Sequence, residues 1–115
     1  MIFVSDVEAS ADFYTQGLGF TEAWSFRDDA GKKFVSQVDR DETEIILSSQ
    51  WPDRVGKGML FIELVAEDWK ALPAALKAGG VPFREGWWGY RSLIVTDPDG
   101  NELYFPDPND QGGDR

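Results

Sequence analysis

The chain has 115 residues, 42% hydrophobic and 14% aromatic, which suits one domain with a core of its own and excludes a disordered chain. Its 21 acidic and 11 basic residues leave a net charge of −10, which repels phosphate backbones, sets nucleic acid aside as a partner and favours a cationic ligand. Cysteine and histidine are both absent, which rules out disulfides, thiolate or Ser–His nucleophiles and Cys-ligated zinc; no run approaches the ~20 apolar residues of a membrane span, and the expectation is a cytoplasmic, soluble protein.

A first strand lies within residues 1–5. Ser5 and Glu8 have capping-box spacing, and Asp6 adds a carboxylate at the positive end of the helix dipole. Val7, Ala11, Tyr14 and Leu18 then recur at helical spacing with Phe13 beside them, and Gly17 and Gly19 stop the helix. Residues 20–26 alternate as a strand that predicts Phe20, Glu22, Trp24 and Phe26 on one face. The turn at Asp28-Asp29-Ala30-Gly31 leads to a returning strand over 33–38, and Arg40-Asp41-Glu42 leads to another over 44–48.

Residues 51–57, rich in turn formers, read as a linker. A buried strand follows at 59–65, and helical spacing runs from Asp68 to Ala78. Pro73 sits within that run, so the regular helix is predicted to begin near Leu72 after an irregular start. Gly79-Gly80 ends it. Strands are predicted at 82–85, 92–96 and 102–105, the last two joined by an Asp97-Pro98-Asp99-Gly100 turn. Residues 106–115 lack large apolar side chains and read as a disordered tail.

The two halves repeat. Asp6 aligns with Glu67, and Gly19-Phe20 with Gly80-Val81, at a shift of 61 residues. The order of elements predicts an α+β fold: two tandem βαβββ modules (1–50 and 58–105) forming curled half-sheets around a groove, in a single domain over 1–105.

Two phrases carry a family resemblance. One is Val4-Ser5-Asp6-Val7-Glu8-Ala9-Ser10, running on to Phe13-Tyr14 and Leu18-Gly19-Phe20. The other is Trp88-Gly89-Tyr90-Arg91-Ser92, followed by Asp97-Pro98-Asp99-Gly100-Asn101-Glu102-Leu103. Together they resemble the vicinal-oxygen-chelate superfamily of glyoxalases, ring-cleaving dioxygenases and bleomycin-resistance proteins. The resemblance implies a homodimer and a set of metal positions on the first, fourth, fifth and eighth strands. The first of these falls ahead of Met1. The others fall on Ile46, Met59 (or Leu60, one residue on) and Tyr104, none a good ligand for a transition metal, and Glu44 and Glu102 lie two residues away. Neither a metal nor another cofactor is therefore expected.

Five tryptophans exceed what a core of this size needs. The resemblance places Trp87, Trp88 and Tyr90 at a groove where flat rings stack, with Trp24, Phe34, Trp51, Ile46, Met59, Glu102 and Tyr104 completing its lining. Trp69 is assigned to packing. The expected function is a metal-free protein that sequesters a cationic, flat-ringed molecule, as bleomycin-resistance proteins do. The alternatives are a glyoxalase- or dioxygenase-like enzyme with an unrecognised metal site, and a regulatory or structural dimer with no small ligand.

Overall fold

A computed structural model of the chain describes residues 1–87 and 91–109. In the first half, β1 (Ile2–Phe3) leads into α1 (Val7–Asp12), which continues as a π-helical turn, Phe13–Gly17; β2 (Thr21–Arg27), β3 (Lys33–Arg40) and β4 (Thr43–Ser48) follow. A 3₁₀ turn at Pro52–Arg54 lies in the connection. The second half repeats the order with β5 (Met59–Phe61), α2 (Ala66–Ala78), β6 (Arg84–Trp87), β7 (Arg91–Thr96) and β8 (Glu102–Pro106). Each half forms its own mixed four-stranded sheet, ordered β1-β4-β3-β2 and β5-β8-β7-β6, with the first strand parallel to the last. The fold is the α+β duplication the sequence implies, and its sheets are not closed.

The core is one continuous cluster on the helix-bearing side of both sheets. Val7, Ala11, Tyr14 and Leu18 come from the first helical segment, and Trp69, Leu72 and Leu76 from α2. They meet Val38, Ile45 and Leu47 of the first sheet and Leu93, Val95, Leu103 and Phe105 of the second. Helical spacing on one side and strand alternation on the other generate this match. Among the described residues, the opposite face of each sheet carries no helix.

The helix starts differ from the sequence pattern. Asp6, not Ser5, caps α1, its carboxylate accepting from the Ala9 amide at 3.1 Å. The Ser5 hydroxyl instead donates to Asp99 at 2.6 Å, and Glu8 pairs with Arg27, so no capping box forms. At α2 the cap is Val65, with no side-chain bond, and regular helix begins at Ala66 with Pro73 inside it. Pro73 removes one amide donor, but the buried stripe of Trp69, Leu72 and Leu76 holds the turns on either side. The caps Asp6 and Val65 are offset by 59 residues, and the glycines that end the helical segments by 61, because α2 has 13 residues against 6 plus 5 in the first segment. Glu67 therefore lies inside α2 and is not the counterpart of Asp6. The glycine match stands: Gly19 (φ 75°) and Gly80 (φ 71°) both take the left-handed conformation, and the buried Phe20 and Val81 follow them.

In the second sheet, β6 begins at Arg84, two residues after Pro82, which has no amide to give a ladder. The first residues of the expected tail, Pro106 and Asp107, are held by the second sheet. Pro106 closes β8 opposite Ser92, and the Asp107 amide donates to the Arg91 carbonyl at 2.8 Å. Residues 110–115 of the expected tail lie outside the described residues.

Candidate functional site on the open sheet faces

Strand register determines which side chains share a face. In the first sheet Val38 pairs with Ile45 on the core side, so Gln37 and Ile46, directly opposite one another, stand on the open side. A register shift between Glu22 and Trp24 then separates two residues that simple alternation would put together. Glu22 pairs with Val38 and bonds the Ser36 hydroxyl (2.6 Å) and Lys33 (2.8 Å), while Trp24 pairs with Gln37 on the open face. The expectation that Glu22, Trp24 and Phe26 share a face is corrected here, because the bulge inserts one residue and inverts the pattern.

The first open face thus carries the cross-strand row Trp24–Gln37–Ile46. On one side of it lies a Phe26–Val35–Ser48 row, and on the other the acids Asp39 and Glu44. Trp24 and Phe26 are tilted by 53° with centroids 5.4 Å apart, and Phe26 is 59% exposed. The indole nitrogen of Trp24 donates to Gln37 Oε1 at 3.0 Å, and Gln37 Nε2 donates to Asp39 Oδ1 at 2.9 Å.

On the second open face, Phe61 pairs with Tyr104 and Tyr104 with Ile94, and Met59 lies beside Glu102. The Phe61 and Tyr104 rings stack at 5.1 Å with planes 22° apart. Glu102 accepts from Arg84 at 2.8 Å and from the Tyr104 hydroxyl at 3.4 Å. Beside Phe61 an open cleft of about 710 Å³ runs between the β3–β4 turn (Asp41, Glu42, Thr43) and Glu63, Leu64 and Val65. Its charged lining is wholly acidic. The arrangement can stack a flat ring and attract a cation.

The residues expected at the site divide accordingly. Trp24 and Ile46 stand together on the first open face, and Met59, Glu102 and Tyr104 on the second. Phe34 alternates with Val35 and so shares the side of Ser36 and Val38, away from them. Trp51 packs edge-on against Phe3 at 5.5 Å, with the Arg54 guanidinium 5.8 Å from both rings. Trp87 pairs with Arg91, whose guanidinium lies 5.8 Å over the Trp69 ring of α2. That register puts Trp87 on the helix-bearing side of its sheet, 52% exposed but turned away from Tyr104. Trp88 and Tyr90 lie outside the described residues. Phe26 shares the Trp24 face as alternation predicts, and Phe61, Gln37 and Asp39 join the open faces with no sequence signal of their own. Period-two spacing from Met59 reaches Phe61, but no sequence pattern brings it against Tyr104.

The superfamily model named Glyoxalase/Bleomycin resistance protein/Dioxygenase matches residues 1–105, and the chain belongs to this superfamily. Among similar solved structures is TnmS3, an antibiotic binding protein from Streptomyces sp. CB03234: 26% identical, TM-score 0.71, covering 91% of this chain and 88% of that one. A bleomycin-binding protein from Streptomyces verticillus, solved with copper(II)-bleomycin, is 21% identical with a TM-score of 0.69 and coverage of 98% and 92%. Lactoylglutathione lyase from Agrobacterium tumefaciens is 14% identical with a TM-score of 0.69 and coverage of 91% and 87%. The last two likenesses concern the fold alone. A comparison with curated proteins gave no match.

A metal of the kind the superfamily's enzymes use does not fit the residues present. Ile46, Met59 and Tyr104 offer a hydrocarbon, a thioether and a phenol, and the nearby Glu102 is engaged by Arg84 and Tyr104. No group of three or more His, Cys, Asp or Glu side chains placed to hold a metal occurs among the described residues. No helix among them is long and apolar enough to cross a membrane.

Proposed function

We propose that the chain is a metal-free binding protein that sequesters a cationic, flat-ringed small molecule, and that it works as a homodimer. The observation that carries this reading is the pairing of exposed aromatic platforms with carboxylates on both open faces. Trp24 lies beside Asp39 and Glu44 with Phe26 on its other side, and the Phe61–Tyr104 stack lies beside the acidic cleft. Stacking supplies contact area, and the acidic field supplies attraction and on-rate for a cation. A second copy laid over the open faces would cover Trp24, Phe26, Met59 and Phe61 and turn two shallow faces into an enclosed groove. The similar antibiotic binding protein at 26% identity supports a small-molecule antibiotic as the ligand.

Titrating the protein with bleomycin and phleomycin, against several unrelated cations, while following tryptophan emission and heat release tests the proposal. Saturable quenching by the glycopeptides alone is the expected result. No binding at high micromolar ligand would reject this ligand class. About one Zn, Ni, Fe or Mn per chain, with chelator-sensitive turnover of a glutathione hemithioacetal, would favour an enzyme instead.

A further inference from the structure

We propose that Gln37 is a positioning residue for ligand binding, setting the plane of the Trp24 indole on the first open face; this deepens the binding reading above and rests on it. Trp24 is 37% exposed, so packing alone leaves its ring free to pivot. Phe26 bounds one side at 5.4 Å, and the Gln37 amide holds the indole nitrogen at 3.0 Å on the other. Ile46 flanks Gln37 on the neighbouring strand, so the amide is wedged within one cross-strand row.

The donor and acceptor roles leave one arrangement. An indole N–H only donates and a carboxylate only accepts, so a side chain between Trp24 and Asp39 must accept toward the first and donate toward the second. A glutamine amide does both, with Oε1 toward Trp24 and Nε2 toward Asp39 at 2.9 Å. Asp39 therefore orients Gln37, and Gln37 orients the indole. The bulge ahead of Trp24 makes this possible, since without the shift Trp24 would not stand opposite Gln37. A ligand then meets a ring already fixed in place and pays less ordering entropy.

The test uses the full chain and bleomycin as probe. Five indole N–H resonances are present, and Trp24→Phe assigns the relevant one. In the free protein, Gln37→Leu should move the Trp24 indole resonance upfield and speed its exchange with water. The same variant should weaken bleomycin binding by about 2- to 12-fold, the range for ordering one side chain. It should have no further effect in a Trp24→Ala background, because the two residues act as one unit. Gln37→Glu alone sets two carboxylates side by side and should perturb the resonance. Gln37→Glu combined with Asp39→Asn rebuilds the chain, because the new carboxylate accepts from both the indole and the new amide, and should restore resonance and affinity. An unmoved indole resonance in Gln37→Leu, additive losses with Trp24→Ala, or failure of the paired substitution to rescue would each overturn the proposal. If the wild-type protein ignores bleomycin, the binding reading fails for that ligand, while the indole resonances still decide whether Gln37 holds the ring.

Discussion

The Tyr14 hydroxyl donates to Asp97 Oδ2 at 3.0 Å, joining the π-helical turn of the first half to the β7–β8 turn of the second across 83 residues of sequence. Asp97 also accepts from the Asp99 amide, the Asn101 amide and Asn101 Nδ2. Asn101 in turn takes the Gly58 amide at 2.7 Å and donates to the Phe3 carbonyl at 3.2 Å. Asp99 reaches back to Ser5 and Ser10. One turn thus ties together α1, β1, the connection and the second sheet. Tyr14→Phe removes a buried bond to a charged acceptor and should cost about 1.5–3 kcal/mol in urea unfolding. Asp97→Ala should cost more, since it removes all four of these hydrogen bonds. Equal effects of the two would contradict this view of the turn.

The same tyrosine makes stability sensitive to alkali. Burial, then the charge of Asp97 and its hydrogen bond, pushes the phenol well above its ordinary value of 10.0. The folded state keeps the proton where an unfolded chain loses it. This contribution is whole below pH about 10 and is lost as pH rises beyond it. Unfolding midpoints from pH 8 to 11 should fall less steeply for Tyr14→Phe than for the parent, and matching slopes would exclude the assignment.

Glu22 acts at the acid end. Desolvation raises its pKa, but hydrogen bonds from Lys33 and Ser36 and the nearby cations outweigh it, and the net shift is downward. Its stabilisation is present above the ordinary carboxylate value of 4.5 and fades as pH falls through the lower folded value. Glu22→Gln should flatten the acid limb of the stability profile and destabilise the protein at neutral pH, because Lys33 is buried and loses its partner. A variant as stable as the parent at pH 7 would count against the pair.

Pro73 is an irregularity within α2. Pro73→Ala restores a donor toward the Trp69 carbonyl and should stabilise by about 1–3 kcal/mol, as read by thermal unfolding. No gain, or a loss, would mean the proline ring contributes packing that outweighs the missing bond.

Two tryptophans should separate binding from folding. Trp24→Ala should weaken bleomycin binding by about 1–3 kcal/mol and leave the fold intact. Trp69 is buried and donates to the Phe105 carbonyl at 2.8 Å, so Trp69→Ala should chiefly reduce stability, by about 3–5 kcal/mol. Binding should also weaken as salt rises, since attraction between exposed charges is screened over ~10 Å at 0.1 M. Salt-independent affinity would remove the acidic faces from the account.

Much of the fold was legible because its signals are local. Helical spacing of Val7, Ala11, Tyr14 and Leu18 marks a buried stripe wherever the helix packs. Gly19 and Gly80 mark helix ends because few other residues adopt a positive φ. The site was legible only in kind. Strand alternation suggests Trp24 as lining, whereas Met59, Glu102 and Tyr104 follow only from the family resemblance. Trp87, however, stands on the far side of its sheet, and the partners Phe61 and Gln37 gain their roles through contacts across strands.

The sequence by itself determined the duplicated βαβββ order, the acidic field and the want of histidine and cysteine, because each depends on residue type and short-range spacing. Tertiary structure alone decided which aromatic side chains share a face. A strand alternates sides with every residue, so the single extra residue between Glu22 and Trp24 sends one to the core side and the other to the open face. That choice is set by hydrogen bonding to β3, and through Gln37 and Asp39 it also sets how the Trp24 ring is held.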